Sequence, residues 1–79
     1  MESEENMKAK IRLDTTNDAA LFSNICLPLP GHITITDNKG LRINAKSILG
    51  MLYALEFEEL WCESDSDIYS HIEKFIIIE

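Results

Sequence analysis

Met7-Lys8-Ala9-Lys10-Ile11-Arg12-Leu13 (MKAKIRL) decides the fold. Met7, Ala9, Ile11 and Leu13 point one way along an extended chain, and Lys8, Lys10 and Arg12 point the other. That period of two marks a strand with one buried and one wet face. The pattern returns in His32 to Thr36 (HITIT), with Ile33 and Ile35 inward and Thr34 and Thr36 outward. It returns again in Leu41 to Ala45 and in Leu60 to Ser64 (LWCES), with Leu60 and Cys62 inward and Trp61 and Glu63 outward. Strands that all alternate belong to one antiparallel sheet covered on a single face, an open-faced α/β (α+β) sandwich.

The segments between the strands supply the cover. Asp14 to Asp18 (DTTND) is rich in capping residues, so Thr15 or Thr16 starts a helix that carries Ala19, Phe22 and Cys26 on one face, with Ala20 and Ile25 beside them. Pro28 and Pro30 stop it, and Gly31 completes the loop. Asp37-Asn38-Lys39-Gly40 reads as a hairpin turn in which Gly40 takes positive φ. Ser47 is the N-cap expected for a second helix running to about Glu56. Ser66 or Asp67 starts a third, with Ile68, Ile72, Phe75 and Ile76 as its apolar stripe. The β-branched run to Ile78 suits fraying or extension equally well.

A length of 79 residues allows one small domain, assigned here to residues 7–79 behind a flexible acidic tail at residues 1–6. The net charge of −7 speaks against nucleic acid and against anionic membrane surfaces. Apolar runs such as Phe75 to Ile78 are far too short to span a bilayer, and the acidic start lacks a signal-peptide layout, so the expected location is the cytoplasm. Residues 1–46 hold six acids and six bases, and all the surplus acidity falls after them, as a solvated face or as a surface for a basic partner. Cys26 and Cys62 read as small buried hydrophobes, and His32 and His71 as ordinary histidines. No Cys or His spacing suggests a metal, and no cofactor is expected.

Asn44-Ala45-Lys46-Ser47-Ile48-Leu49-Gly50 (NAKSILG) resembles the region around the regulatory serine of HPr, the histidine-containing phosphocarrier protein of the bacterial sugar phosphotransferase system. Ala19-Ala20-Leu21-Phe22 resembles that family's first helix, and the order of elements agrees over roughly residues 7–76. Lys46-Ser47-Ile48 is the most specific part. The resemblance implies a sheet in strand order 1-4-2-3 with three helices on one side. It also implies a carrier histidine at the start of the first helix, an arginine two positions on and a proline after that. Thr15, Asn17 and Asp18 stand there instead. The hairpin turn is one residue longer than the family's, and the segment before the fourth strand is shorter.

A carrier needs an imidazole nitrogen to accept a phosphoryl group, and the hydroxyl of Thr15 is a poor nucleophile without a base. Asp18 sets a carboxylate where the helix start would hold a phosphate, so no catalytic residue is expected. Ser47 remains. In the family the matching serine is phosphorylated by a dedicated kinase, and the phosphoprotein acts as a corepressor of carbon catabolite genes. The family's docking face maps to Ile48, Leu49 and Leu52. The expectation is a non-catalytic regulatory or protein-binding module of carbohydrate uptake or catabolite control, monomeric or weakly dimeric. Its partner would be a serine kinase or a transcription regulator. A phosphocarrier with a non-standard acceptor and a structural or assembly subunit are the alternatives. Given strand order 1-4-2-3, Lys8, Lys10 and Arg12 should flank Trp61 and Glu63 on the open face, with a Lys–Glu pair and an aliphatic stem over the indole.

Overall fold

The computed structural model describes residues 6–78; of the expected tail, residues 1–5 lie outside the described residues and Asn6 is exposed. The elements in chain order are β1 (Met7–Ile11), α1 (Thr16–Cys26), β2 (Ile33–Thr36), β3 (Arg42–Asn44), α2 (Ile48–Ala54), β4 (Leu60–Ser64), α3 (Tyr69–Ile72) and a 3-10 turn (Glu73–Phe75). The four strands form one antiparallel sheet in the order β1-β4-β2-β3. The fold is α+β, with the strand order given above. Among the described residues no helix is long and apolar enough to cross a membrane.

Both longer helices are crossovers. β1 and β2 each lie antiparallel to β4, so they are parallel to each other and α1 joins them; by the same reasoning α2 joins the parallel pair β3 and β4. The two helices therefore run antiparallel on the same face. Lys46 Nζ donates to the carbonyl of Leu29 at 2.5 Å, which ties the start of α2 to the loop that follows α1. The core lies between helices and sheet and includes Ile11, Ala19, Phe22, Ile33, Ile35 and Met51. Phe22 meets Phe75 edge to face at 5.3 Å between centroids, which fixes the C-terminal segment against α1.

Several boundaries differ from the sequence reading. β1 ends at Ile11, before the expected Leu13, and β3 is trimmed to Arg42–Asn44. α2 ends at Ala54, short of Glu56, because Leu55, Glu56 and Phe57 close into tighter turns on Leu52, Tyr53 and Ala54. The third helix shrinks to four residues with Ile68 as its N-cap, although the carboxylate of Asp67 still accepts the Tyr69 N–H at 3.0 Å. Ile68, Ile72 and Phe75 face the core as the stripe requires, and Ile76, beyond the helix, is half-buried against it. The β-branched end turns extended instead. Ile76 bridges Ile11, the Arg12 N–H donates to Phe75, and the Ile77 N–H donates to Lys10, so this segment covers part of the outer edge of β1.

Thr36 points outward as expected and is nonetheless buried. It projects from the open face, in one row with Lys10, Trp61 and Arg42, yet only 2% of it is exposed. Its large neighbours roof it over, and its Oγ1 accepts the Asn38 N–H. The hairpin turn follows expectation, with Gly40 at φ 117°. Asp37 Oδ1 accepts from the N–H groups of Lys39 and Leu41, and the first of these holds its carboxyl below the usual carboxylate range.

Gly50 faces the sheet. A β-carbon there would lie 2.4 Å from Ile43 Cγ2, so the glycine is what lets α2 sit down on β3. Alanine is worth roughly 1 kcal/mol more than glycine inside a helix. Forcing a methyl into a packed contact costs about 1–3 kcal/mol. Gly50→Ala should therefore lower the unfolding free energy, by up to about 2 kcal/mol in urea titration, against its helix propensity. Cys26 and Cys62 are free and fully buried, and burial pushes their thiols up to about 11 and about 12. A disulfide-forming aromatic reagent should leave both untouched in the native protein and titrate both in denaturant.

Candidate functional site

The start of α1 is closed by its own side chains. Thr15 Oγ1 accepts the Asp18 N–H at 3.1 Å. The Asp18 carboxylate accepts in return from the N–H groups of Thr15, at 3.2 Å, and Asp14, at 2.9 Å. This is a reciprocal capping box, favoured by the helix dipole. Asn17 is exposed. Arg12 pairs with Asp14 at 2.9 Å instead of reaching the open sheet face, where the sequence reading had set it. Thr15 and Asp18 thus cap the helix.

Ser47 caps α2. Its Oγ accepts the Gly50 N–H at 3.1 Å, and the side chain is half-buried. Behind it the helix shows an apolar outer surface: Ile48 is 43% exposed, Leu49 77% and Tyr53 58%. Leu52 is half-buried and packs partly against the core, so it forms the floor of this patch rather than its crest. Tyr53 takes that place, and its ring meets Phe57 edge to face at 5.9 Å. The signal for Tyr53 was in the sequence, since it stands four residues after Leu49 and shares its face. Leu27, 54% exposed, ends α1 beside the start of α2.

This helical surface carries no charge. Ala19 to Thr36 and Ser47 to Leu55 contain no Asp, Glu, Lys or Arg, in a chain of which 27% is charged. Isolated exposed leucines are ordinary, but an apolar surface spread over two adjacent helices without any charge is the composition of an interface core.

The open sheet face is the opposite. Glu63 on the central strand β4 binds Lys8 at 3.4 Å and, across β2, Arg42. Lys8 and Lys10 stand over the Trp61 ring at 5.5 and 5.8 Å from its centroid, and the indole N–H donates to Glu59 at 2.7 Å. The expected Lys–Glu pair and the lysines over Trp61 are therefore present, with Arg42 as the cation the sequence reading missed; only the strand order brings it near Glu63. An open groove of about 420 Å³ beside them is lined by Lys8, His32, Arg42, Glu63 and Asp65, cations and carboxylates in balance. His32 is exposed, with its backbone N–H on Asp65, and His71 is exposed in α3. Among the described residues no cluster of His, Cys, Asp or Glu could hold a metal ion.

No protein-family model, curated protein or solved structure matches this chain.

The Arg42 hydrogen bond, with Lys8 beside it, holds the Glu63 carboxyl below its ordinary value of 4.5. A depressed folded value gives a contribution to stability that is complete above the unfolded value and lost as pH falls through the folded one. The urea midpoint of the wild type should therefore exceed that of Glu63→Gln at neutral pH, and the gap should close as the pH is lowered below 4.5. A gap that stays constant through the acid range would remove the ion pair from the account.

Proposed function

We propose that this chain is a non-catalytic, HPr-like regulatory module of carbohydrate uptake or catabolite control, which docks another protein through the outer surface of α2. Phosphorylation of Ser47 is its switch. The observation that carries this reading is the position of Ser47: it caps α2, at one end of a charge-free apolar surface. Two further points support it. The strand order is the one that the resemblance implies. The side chains at the carrier positions are spent on helix capping, which fits a module without phosphoryl transfer of its own.

The switch follows from electrostatics. A phosphate on Ser47 adds nearly two negative charges at a helix start, where the first-turn N–H groups and the dipole favour them. The same charge lies next to Ile48 and Leu49, in a surface that otherwise has none. Desolvating it against an apolar partner is unfavourable, whereas a partner with arginines at that position gains a charge-assisted contact. One modification thus exchanges one class of partner for another.

Incubation with an HPr-type serine kinase and ATP should add one phosphate to the intact mass, and Ser47→Ala should abolish the gain. Ser47→Ala should also cost about 1 kcal/mol of stability through the lost cap. No mass gain in the wild type would remove the switch. An acid-labile label taken up from phosphoenolpyruvate through the general enzyme of that system would instead identify a carrier.

A further inference from the structure

We infer that the charge-free helical surface is a self-association face, on which a second copy of this chain packs with its helices reversed. The inference rests on the reading of this surface as a docking site and names its occupant.

Two observations select a second copy, and a third sets the strength of the contact. The first is the absence of charge. Each chain carries a net charge of −7, so two copies repel wherever their acidic surfaces meet. The outer surface of α1 and α2 is free of that penalty, because neither helix bears a charged residue after Asp18. The second is what stands at its ends. α1 and α2 run antiparallel, so the start of α1, with Asp18, shares one end of the layer with the end of α2, followed by Glu56. Lys46 precedes α2 at the other end, held to Leu29 at 2.5 Å. A two-fold axis through the middle of the layer, near Leu49 and Tyr53, lays the acidic end of one copy on the basic end of the other, twice. A contact of this kind is self-complementary and closes at two.

The third is size. The exposed side chains of Leu27, Ile48, Leu49 and Tyr53 offer on the order of a few hundred Å² of apolar surface per copy. Doubled across a two-fold axis, this is less than the roughly 1,200 Å² at which stable interfaces begin. The dimer is accordingly weak and reversible, with a Kd of about 10 μM to 1 mM. A phosphate on Ser47 in each copy would enter the same contact and oppose it.

Sedimentation equilibrium of the full chain from micromolar to millimolar concentration tests the proposal. A reversible monomer–dimer equilibrium is expected. Leu49→Glu, on a side chain that is mostly exposed in the monomer, should weaken it at least about tenfold. Leu41→Glu, at a leucine 44% exposed beyond the helical layer, should change it less than about twofold. Lys46→Glu and Glu56→Lys should each weaken self-association, and a mixture of the two should form heterodimers tighter than either homodimer. Should Lys46→Glu lose its helical circular dichroism, Glu56→Lys against Glu58→Lys carries this arm, and only the first should weaken the dimer. A chain that stays monomeric at millimolar concentration overturns the proposal. So does a dimer indifferent to Leu49→Glu, or a mixture no tighter than its components. Because Ser47 phosphorylation is read by mass on dilute monomer, a monomeric chain that is still phosphorylated ends the dimer alone. A dimer that gains no phosphate ends the switch alone.

Discussion

The sheet depends on the double pairing of β4. This strand is the last of the four in sequence, yet it lies between β1 and β2 and is hydrogen-bonded to both. Its alternation sorts the whole molecule. Leu60 and Cys62 face the helices and bring Ala9, Ile11 and Ile35 with them in register, while Trp61 and Glu63 face away and align Lys8, Lys10, Thr34 and Thr36. A slip by one residue would send the Glu63 carboxylate into a core that holds no cation for it. The register of β4 is therefore specified on both faces at once, by apolar burial on one side and by the Lys8–Glu63–Arg42 cluster on the other.

The same pairing makes the two longer helices antiparallel neighbours. Each must cross between parallel strands, and Gly50 lets α2 approach close enough to β3 for Met51 and Ala54 to be buried completely. The close approach leaves the other side of a two-turn helix exposed, and in this chain that side is apolar. A small domain has too few residues to bury every apolar side chain. It still has charged residues to spare, 27% of the chain, and after Asp18 none is used in either of these two helices. The division of labour is plain in the residues: charges collect on the open sheet face and the loops, where they pair with one another, and the helical layer is kept free of them.

Much of this was legible beforehand. The alternating runs located all four strands, and β4 was placed to the residue. Ser47 was readable as a cap, and so was the Thr15–Thr16 pair, of which Thr15 is the one used, because the two helices start where short oxygen-bearing side chains precede apolar runs. The core faces of α1 and β2 followed from spacing alone. Other features turned on contacts that spacing does not show. Thr36 is buried by Trp61 and Arg42, which belong to two other strands. Leu52 packs partly against the core, while Tyr53 stands exposed. Arg12 is drawn to Asp14 once β1 ends at Ile11.

The sequence by itself determined the local conformations: period-two alternation for strands, capping oxygens for helix starts, and Asp37 to Gly40 for the hairpin, where short-range hydrogen bonds and allowed φ values decide. Only the tertiary structure decided where the C-terminal residues go, because the Phe75 carbonyl and the Ile77 N–H gain hydrogen bonds on the edge of β1 that no local signal announces. It alone decided which apolar residues of α2 stay outside and that Glu63 is shared between Lys8 and Arg42. Burial and long-range ion pairing are properties of neighbours far apart in the chain, and strand order is what brings those neighbours together.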